Sequence, residues 1–188
     1  YSMECNRYKI GCGKCIQLRS KTNNDISKFV IERKKKNITK IINLVGISNW
    51  LSEKAKESYL FNNKDIKTFY NNVDCDVFFP IKKTIAKEVL GIKTNKKIIL
   101  IGARRLNSFY KGFDKFIEAI NYLDNGKYFI IFFGQVNDYE LNNINFEYKN
   151  YQTLHDEISL RLLYSASDVF VAPSLMEAFG KTIAEAMA

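Results

Sequence analysis

Proline and histidine are scarce in this chain: Pro80, Pro173 and His155 are all that 188 residues contain, beside a single tryptophan. No apolar run approaches the ~18 residues of a membrane span, and the opening YSMECNRYKI lacks the basic-then-apolar layout of a secretory leader. These absences exclude a membrane-spanning helix and make the cytoplasm the expected location. No Gly-x4-Gly-Lys-Ser/Thr is present, which excludes a P-loop, and no Gly-x-Gly-x-x-Gly follows a strand, which excludes the dinucleotide fingerprint. His155 precedes DEISLRLL and reads as a helix-start or surface residue rather than a catalytic one.

What is present is apolar and basic. Hydrophobic residues make up 46% and aromatic residues 14%, enough for one good core or two small ones and too much for a disordered chain. A net charge of +9 invites an anionic partner, whether nucleic acid, a membrane surface or a phosphorylated ligand. A general Lys/Asn/Ile/Tyr/Phe bias would raise the charge equally well. The dense run ERKKKNITK (32–40) reads as a solvated face, with a basic nucleic-acid or anionic-surface binding module as the alternative. The start at Tyr1 and the stop at Ala188, inside an uncapped helical pattern, suggest a piece of a longer protein.

Along the chain, IINLVGIS (41–48) reads as a strand, NWLSEKAKESYLF as a helix capped at Ser48 or Asn49, and DIKTFYNN (65–72) as another strand. CDVFFPIKKTIAKEVLGIKTNKK (75–97) holds a proline and a short amphipathic helix ending at Gly91, which suits a connector. Beyond it the pattern alternates: strand 97–103, helix 111–123, strand 128–134, helix 155–167, strand 168–174, and a helix opening at GKTIAEAMA. Continuous apolar strands separated by helices imply a parallel sheet covered on both faces. The expected fold is therefore α/β: residues 1–80 as the end of one α/β domain, 81–96 as linker, and 97–188 as a doubly wound, Rossmann-like domain.

In an open parallel sheet, ligands bind beyond the carboxyl ends of the strands. There this sequence places Gly102, Arg104, Arg105 and Lys111 after one strand, Gln135 after the next, and PSLMEAFGKT after the third. A helix N-terminus presents unpaired N–H groups, and Gly180 lets an anion approach the backbone. Glu177 in the loop and Glu185 in the helix could bracket one ligand. The bland alternative has Glu177 capping the helix and Glu185 facing water.

Taken together, DVFVAPS followed by EAFGKTIAEAMA, GARRLNSFYKGFD, and NNVDCDVFFP resemble the retaining glycosyltransferases of family 4, the colanic-acid and capsular-polysaccharide type included, which have the GT-B fold. The resemblance runs over most of the chain. It implies sugar transfer from a nucleotide-diphosphate sugar to a glycan or lipid-linked acceptor, without nucleic acid as partner and with contact at the membrane surface left open. Carried onto this sequence, it puts Glu177 beside the donor sugar and Glu185 on the ribose hydroxyls. Lys111, with Arg105 in preference to Arg104, neutralises the diphosphate. Gly102, Gln135, Phe179, Gly180, Lys181 and Thr182 complete the donor site. A growing diphosphate charge is stabilised by fixed cations and N–H groups, so no catalytic metal is required. A glycosidase would need two carboxylates across the bond and no such basic cluster. The family's catalytic histidine has no counterpart in the chain, which is expected to be inactive alone.

Cys5, Cys12 and Cys15 cluster in ECNRYKIGCGKC, and Cys75 stands apart. The cluster is open to three readings: a structural zinc completed by a fourth ligand upstream, free thiols, or a redox pair. Some relatives have a similar cysteine-rich stretch, GCGxCPQL, which GCGKCIQL matches apart from Ile16.

Overall fold

The computed structural model describes residues 5–38 and 43–188, and the chain divides into two compact units, 1–71 and 72–188. In the first unit a 3-10 turn, Asn6–Lys9, precedes α1 (Ile26–Asn37), β1 (Leu44–Gly46), α2 (Asn49–Lys56) and β2 (Ile66–Thr68). The part of the first expected strand at 41–42, and residues 39–40 of the basic run, lie outside the described residues. Asp25 caps α1 by accepting from the Ser27 and Lys28 N–H groups, and the Ser48 hydroxyl caps α2 through Leu51 N–H. β1 and β2 are parallel, and α2 packs so closely on them that a Cβ at Gly46 would lie 2.1 Å from Ser52 Oγ. Ser52 in turn shares a 2.8 Å hydrogen bond with Thr68 on β2.

The second unit contains α3 (Lys83–Val89), β3 (Lys97–Arg105), α4 (Phe113–Ile120), β4 (Tyr128–Gln135), α5 (Asp138–Leu141), β5 (Tyr148–Asn150), α6 (Glu157–Ala166), β6 (Val169–Val171) and α7 (Lys181–Met187). Its four strands form a parallel sheet in the order β5-β4-β3-β6. Alternation along β3 divides the core between the two faces. Ile99 and Ile101 pack with Phe113, Phe116 and Ile120 of α4, whereas Ile98 and Leu100 pack with Ala86 of α3 and Leu163 and Ala166 of α6. This is the doubly wound α/β arrangement expected from the strand-helix rhythm.

Residues 81–96 do not behave as a linker. They fold into the second unit, where Ala86 is fully buried and Ile92 joins it in the cluster around Ile98 and Leu100 of β3. The amphipathic pattern that suggested a connector helix is the buried stripe of a sheet-covering helix. The strand read at 168–174 is shorter, because Pro173 has no N–H for a ladder and the chain turns into the loop before α7. The helix read at 111–123 begins two residues later, after Gly112 takes a left-handed conformation with φ 67°. Strand β5 and helix α5 were not legible, since YKN and DYEL carry no clear period.

Candidate functional site

Strand β3 lies at the centre of the sheet with β4 on one side and β6 on the other, so the chain reverses its direction of winding there. A crevice at the carboxyl ends of such strands is the geometric consequence. Two loops meet in it. The Leu175 N–H donates to the Tyr110 carbonyl at 2.8 Å, and Gly112 sits so near Pro173 that a Cβ would come within 2.1 Å of the Pro173 carbonyl oxygen. Only glycine fits there, and the close approach clamps the β3–α4 loop to the β6–α7 loop.

That clamp brings Lys111 and Glu177, 66 residues apart, into contact: Nζ to Oε1 is 2.5 Å. The Ser174 hydroxyl donates to the same Oε1 at 2.8 Å. Glu177 therefore does not cap α7. The cap position belongs to Gly180, with φ 81° and no side chain to offer, so the bland reading of Glu177 is overturned.

Glu185, one turn into α7, does not face water either. Its side chain is 6% exposed, with Lys181 Nζ 3.4 Å from Oε1 and the Tyr164 hydroxyl 3.3 Å from Oε2. It lines a cleft of about 360 Å³ together with Arg104, Gly134, His155 and Thr182. Thr182 also borders the small recess that holds Lys111, Ser174 and Glu177, so the two carboxylates stand on either side of it. Burial, and then the Glu185 charge, push the Tyr164 phenol well above its ordinary range.

The neighbouring arginines part company. Arg104 enters the cleft with Glu185, while Arg105 lines an adjoining cavity of about 730 Å³ with Gln135, Asn107 and Gln152. Consecutive residues of a strand point to opposite faces, which separates the two side chains at the end of β3. Gly102 lines the small recess with Lys111 and Glu177, and a Cβ on it would lie 2.2 Å from the Phe133 ring. Phe179 and Lys181 flank the left-handed Gly180, with Lys181 turned to Glu185.

Sequence reading passed over the segment 153–156, whose Thr153, Leu154, His155 and Asp156 form one wall of the 360 Å³ cleft. The only signal was the residue pair His155-Asp156 ahead of a helical pattern. Asp156 caps α6 through the Ser159 N–H, and the exposed His155 lines the cleft beside it.

The cysteine loop gives a different result. Among the described residues no group of three or more His, Cys, Asp or Glu stands ready to hold a metal ion. Burial pushes the Cys12 thiol up, and negative charge at Cys5, Cys15 and Asp25 adds to it. Asp25 is engaged elsewhere, accepting from the Cys15 N–H and the Ser27 hydroxyl. The sequence also contains one Asp-x-Asp triplet, Asp74-Cys75-Asp76. There Asp74 Oδ1 accepts from the Asp76 N–H within a turn. In the basic run, Lys35 Nζ lies 3.5 Å from the centre of the Tyr59 ring, so part of its charge is already engaged, while Glu32 pairs with Lys28 outside the run. No helix among the described residues is long and apolar enough to cross a membrane.

Comparison with known proteins agrees with this arrangement. Among solved structures the chain is similar to sucrose-phosphate synthase from Thermosynechococcus elongatus, with a TM-score of 0.68, 17% identity, and coverage of 94% of this chain and 46% of that one. WaaG, a glycosyltransferase involved in lipopolysaccharide biosynthesis, gives 0.69 at 18% identity, covering 86% and 46%. A glycosyltransferase from Rickettsia africae ESF-5 gives 0.63 at 24% identity, covering 82% and 45%. The chain thus spans about half the length of these proteins, and its fold is part of the GT-B fold. No curated protein matches it in sequence. The family model described as "Glycosyl transferases group 1" matches residues 82–188, more than half of the chain and nearly all of the unit that carries the crevice, so the protein belongs to the group 1 glycosyl transferases.

Proposed function

We propose that the protein is a retaining transferase of family-4 type that moves a sugar from a nucleoside-diphosphate sugar to a glycan or lipid-linked acceptor. The observation that carries this reading is the contact between Lys111 and Glu177 at 2.5 Å, beside a cleft bounded by Arg104, Thr182 and Glu185. A cation next to a carboxylate at strand ends suits a reaction in which negative charge grows on the leaving diphosphate while positive charge grows on the sugar carbon.

In their mutual contact Lys111 and Glu177 neutralise each other. When donor binds, Lys111 turns to the diphosphate, and Glu177, still held by Ser174, faces the electron-poor sugar carbon. Arg104 adds a second cation to the diphosphate from within the cleft. Arg105, favoured from sequence alone, belongs with Gln135 in the adjoining cavity. Gly180, with Phe179, Lys181 and Thr182, supplies backbone N–H groups, and Glu185 accepts from the ribose hydroxyls. No metal is needed in this scheme. A lipid-linked acceptor would place the reaction at the cytoplasmic surface of a membrane.

The test is calorimetric titration of the complete enzyme with a panel of nucleoside-diphosphate sugars at two salt concentrations. Tight binding of one donor, with discrimination among bases, supports the reading. Binding that ignores the base and falls steeply with salt would support a polyanion surface instead.

A further inference from the structure

Tyr164 lies directly behind Glu185. Its ring is held on three sides: edge-on to Phe170 at 5.4 Å, edge-on to Phe133 at 6.3 Å, and tilted against Phe78 at 6.3 Å. Phe133 itself rests on Gly102 of the central strand, where no side chain would fit. The ring is thereby tied to the most rigid part of the sheet, and its hydroxyl has a fixed position. That hydroxyl donates to Glu185 Oε2, while Lys181 approaches Oε1.

A buried carboxylate without donors costs several kcal/mol, and a glutamate on a helix has three side-chain torsions through which to escape toward solvent. Lys181, itself more than half exposed, cannot prevent that. An aromatic ring alone would fill the space as phenylalanine, so the hydroxyl is the part of Tyr164 that packing does not explain. A carboxylate accepts about four hydrogen bonds, and Tyr164 and Lys181 use two of them.

We infer that Tyr164 is a positioning residue for nucleotide recognition: it holds Glu185 so that the unused lone pairs point into the 360 Å³ cleft, where ribose hydroxyls can donate to them. The inference rests on the ribose role proposed above for Glu185. It predicts that the Tyr164 hydroxyl controls discrimination between ribose and dideoxyribose, although it touches neither.

The experiment measures, in the complete enzyme, affinities for UDP, GDP and ADP and for the 2′,3′-dideoxy form of each. The wild type is expected to prefer the ribo form of its nucleotide by roughly tenfold or more, the scale of charge-assisted hydrogen bonds. Glu185→Gln should abolish most of that preference. Tyr164→Phe should cut it by about three- to tenfold while leaving dideoxy affinity within about twofold of wild type. In the double variant the Tyr164 change should have no further effect. If Glu185→Gln keeps the preference, the ribose reading itself falls. If Glu185→Gln loses it but Tyr164→Phe keeps it, or weakens ribo and dideoxy forms equally, only the positioning role falls. Should Tyr164→Phe fail to fold, 3-fluorotyrosine at position 164 keeps the ring packing and alters the hydroxyl's donor strength. A ribo preference unmoved by it overturns the inference.

Discussion

The loop that carries Glu177 and the helix that carries Glu185 use the same side chain in opposite surroundings. Glu177 is 29% exposed and gives one oxygen to both Lys111 and Ser174. Glu185 is 6% exposed, is backed by an aromatic cluster, and divides its oxygens between Tyr164 and Lys181. The first has a partner that a stronger anion can take away. The second is fixed from behind by a neutral donor that nothing competes for. A carboxylate of the first kind suits charge that appears during reaction, and one of the second kind suits recognition of a neutral group. Environment separates the two roles although eight residues separate the side chains.

The largest expected effect falls on the loop. Glu177→Gln in the complete enzyme should lower kcat by about 10²–10³-fold, the scale of losing one group aimed at transition-state charge. Affinity for the free nucleoside diphosphate should stay level or rise, because Lys111 loses its resting partner. Near-normal turnover would erase the contrast between the two carboxylates.

Lys111→Ala should follow, weakening nucleoside-diphosphate binding by about 10- to 100-fold and nucleoside binding by less than about twofold. Titration of both ligands decides it, and equal losses would remove Lys111 from the diphosphate.

Gly112→Ala tests the clamp rather than the charges. With φ 67° and the Pro173 carbonyl in the way, it should cost about 1–3 kcal/mol in thermal unfolding. Turnover should fall with it, because Lys111 and Glu177 are no longer held together, whereas the ribo-over-dideoxy preference should survive. Loss of both would mean that the loop and the helix are one mechanical unit.

The smallest effect comes from the opposite end of β6. Asp168, despite desolvation that raises its pKa, is brought from 3.8 down to about 2 by Lys83, the Ile98 N–H and Lys97. A depressed carboxylate contributes stability above its unfolded pKa and loses it as pH falls, so this contribution is complete above about pH 4 and gone below about pH 2. Asp168→Asn should flatten that acid limb in melting curves and leave the two glutamates' distinct behaviour at neutral pH unchanged.

Much of this was readable in one dimension. The runs KIILIGA and YFIIFFG are apolar without alternation, which only a strand buried on both faces requires, and β3 and β4 stand where those runs predicted. The mixture in PSLMEAFGKT drew attention to the strand end, where Glu177 meets Lys111 and Ser174. The wall formed by residues 153–156 was not readable, because β5 is three residues long and is defined only by pairing with β4. Tyr164 was not readable either, since a tyrosine in an amphipathic helix reads as core until its hydroxyl is seen to meet a carboxylate. Arg104 and Arg105 were indistinguishable as neighbours, and only the folded strand assigns them to different cavities.

By itself, then, the sequence determined the alternation of strands and helices, the parallel sheet and the identity of the charged residues at its carboxyl edge, since hydrophobic period and polar punctuation are local properties. Tertiary structure decided which charges meet. Lys111 reaches Glu177 because Gly112 lets one loop lie against Pro173 of another, and Glu185 is held because α6 sets a tyrosine behind it. Such contacts join residues tens of positions apart, and no local pattern records them.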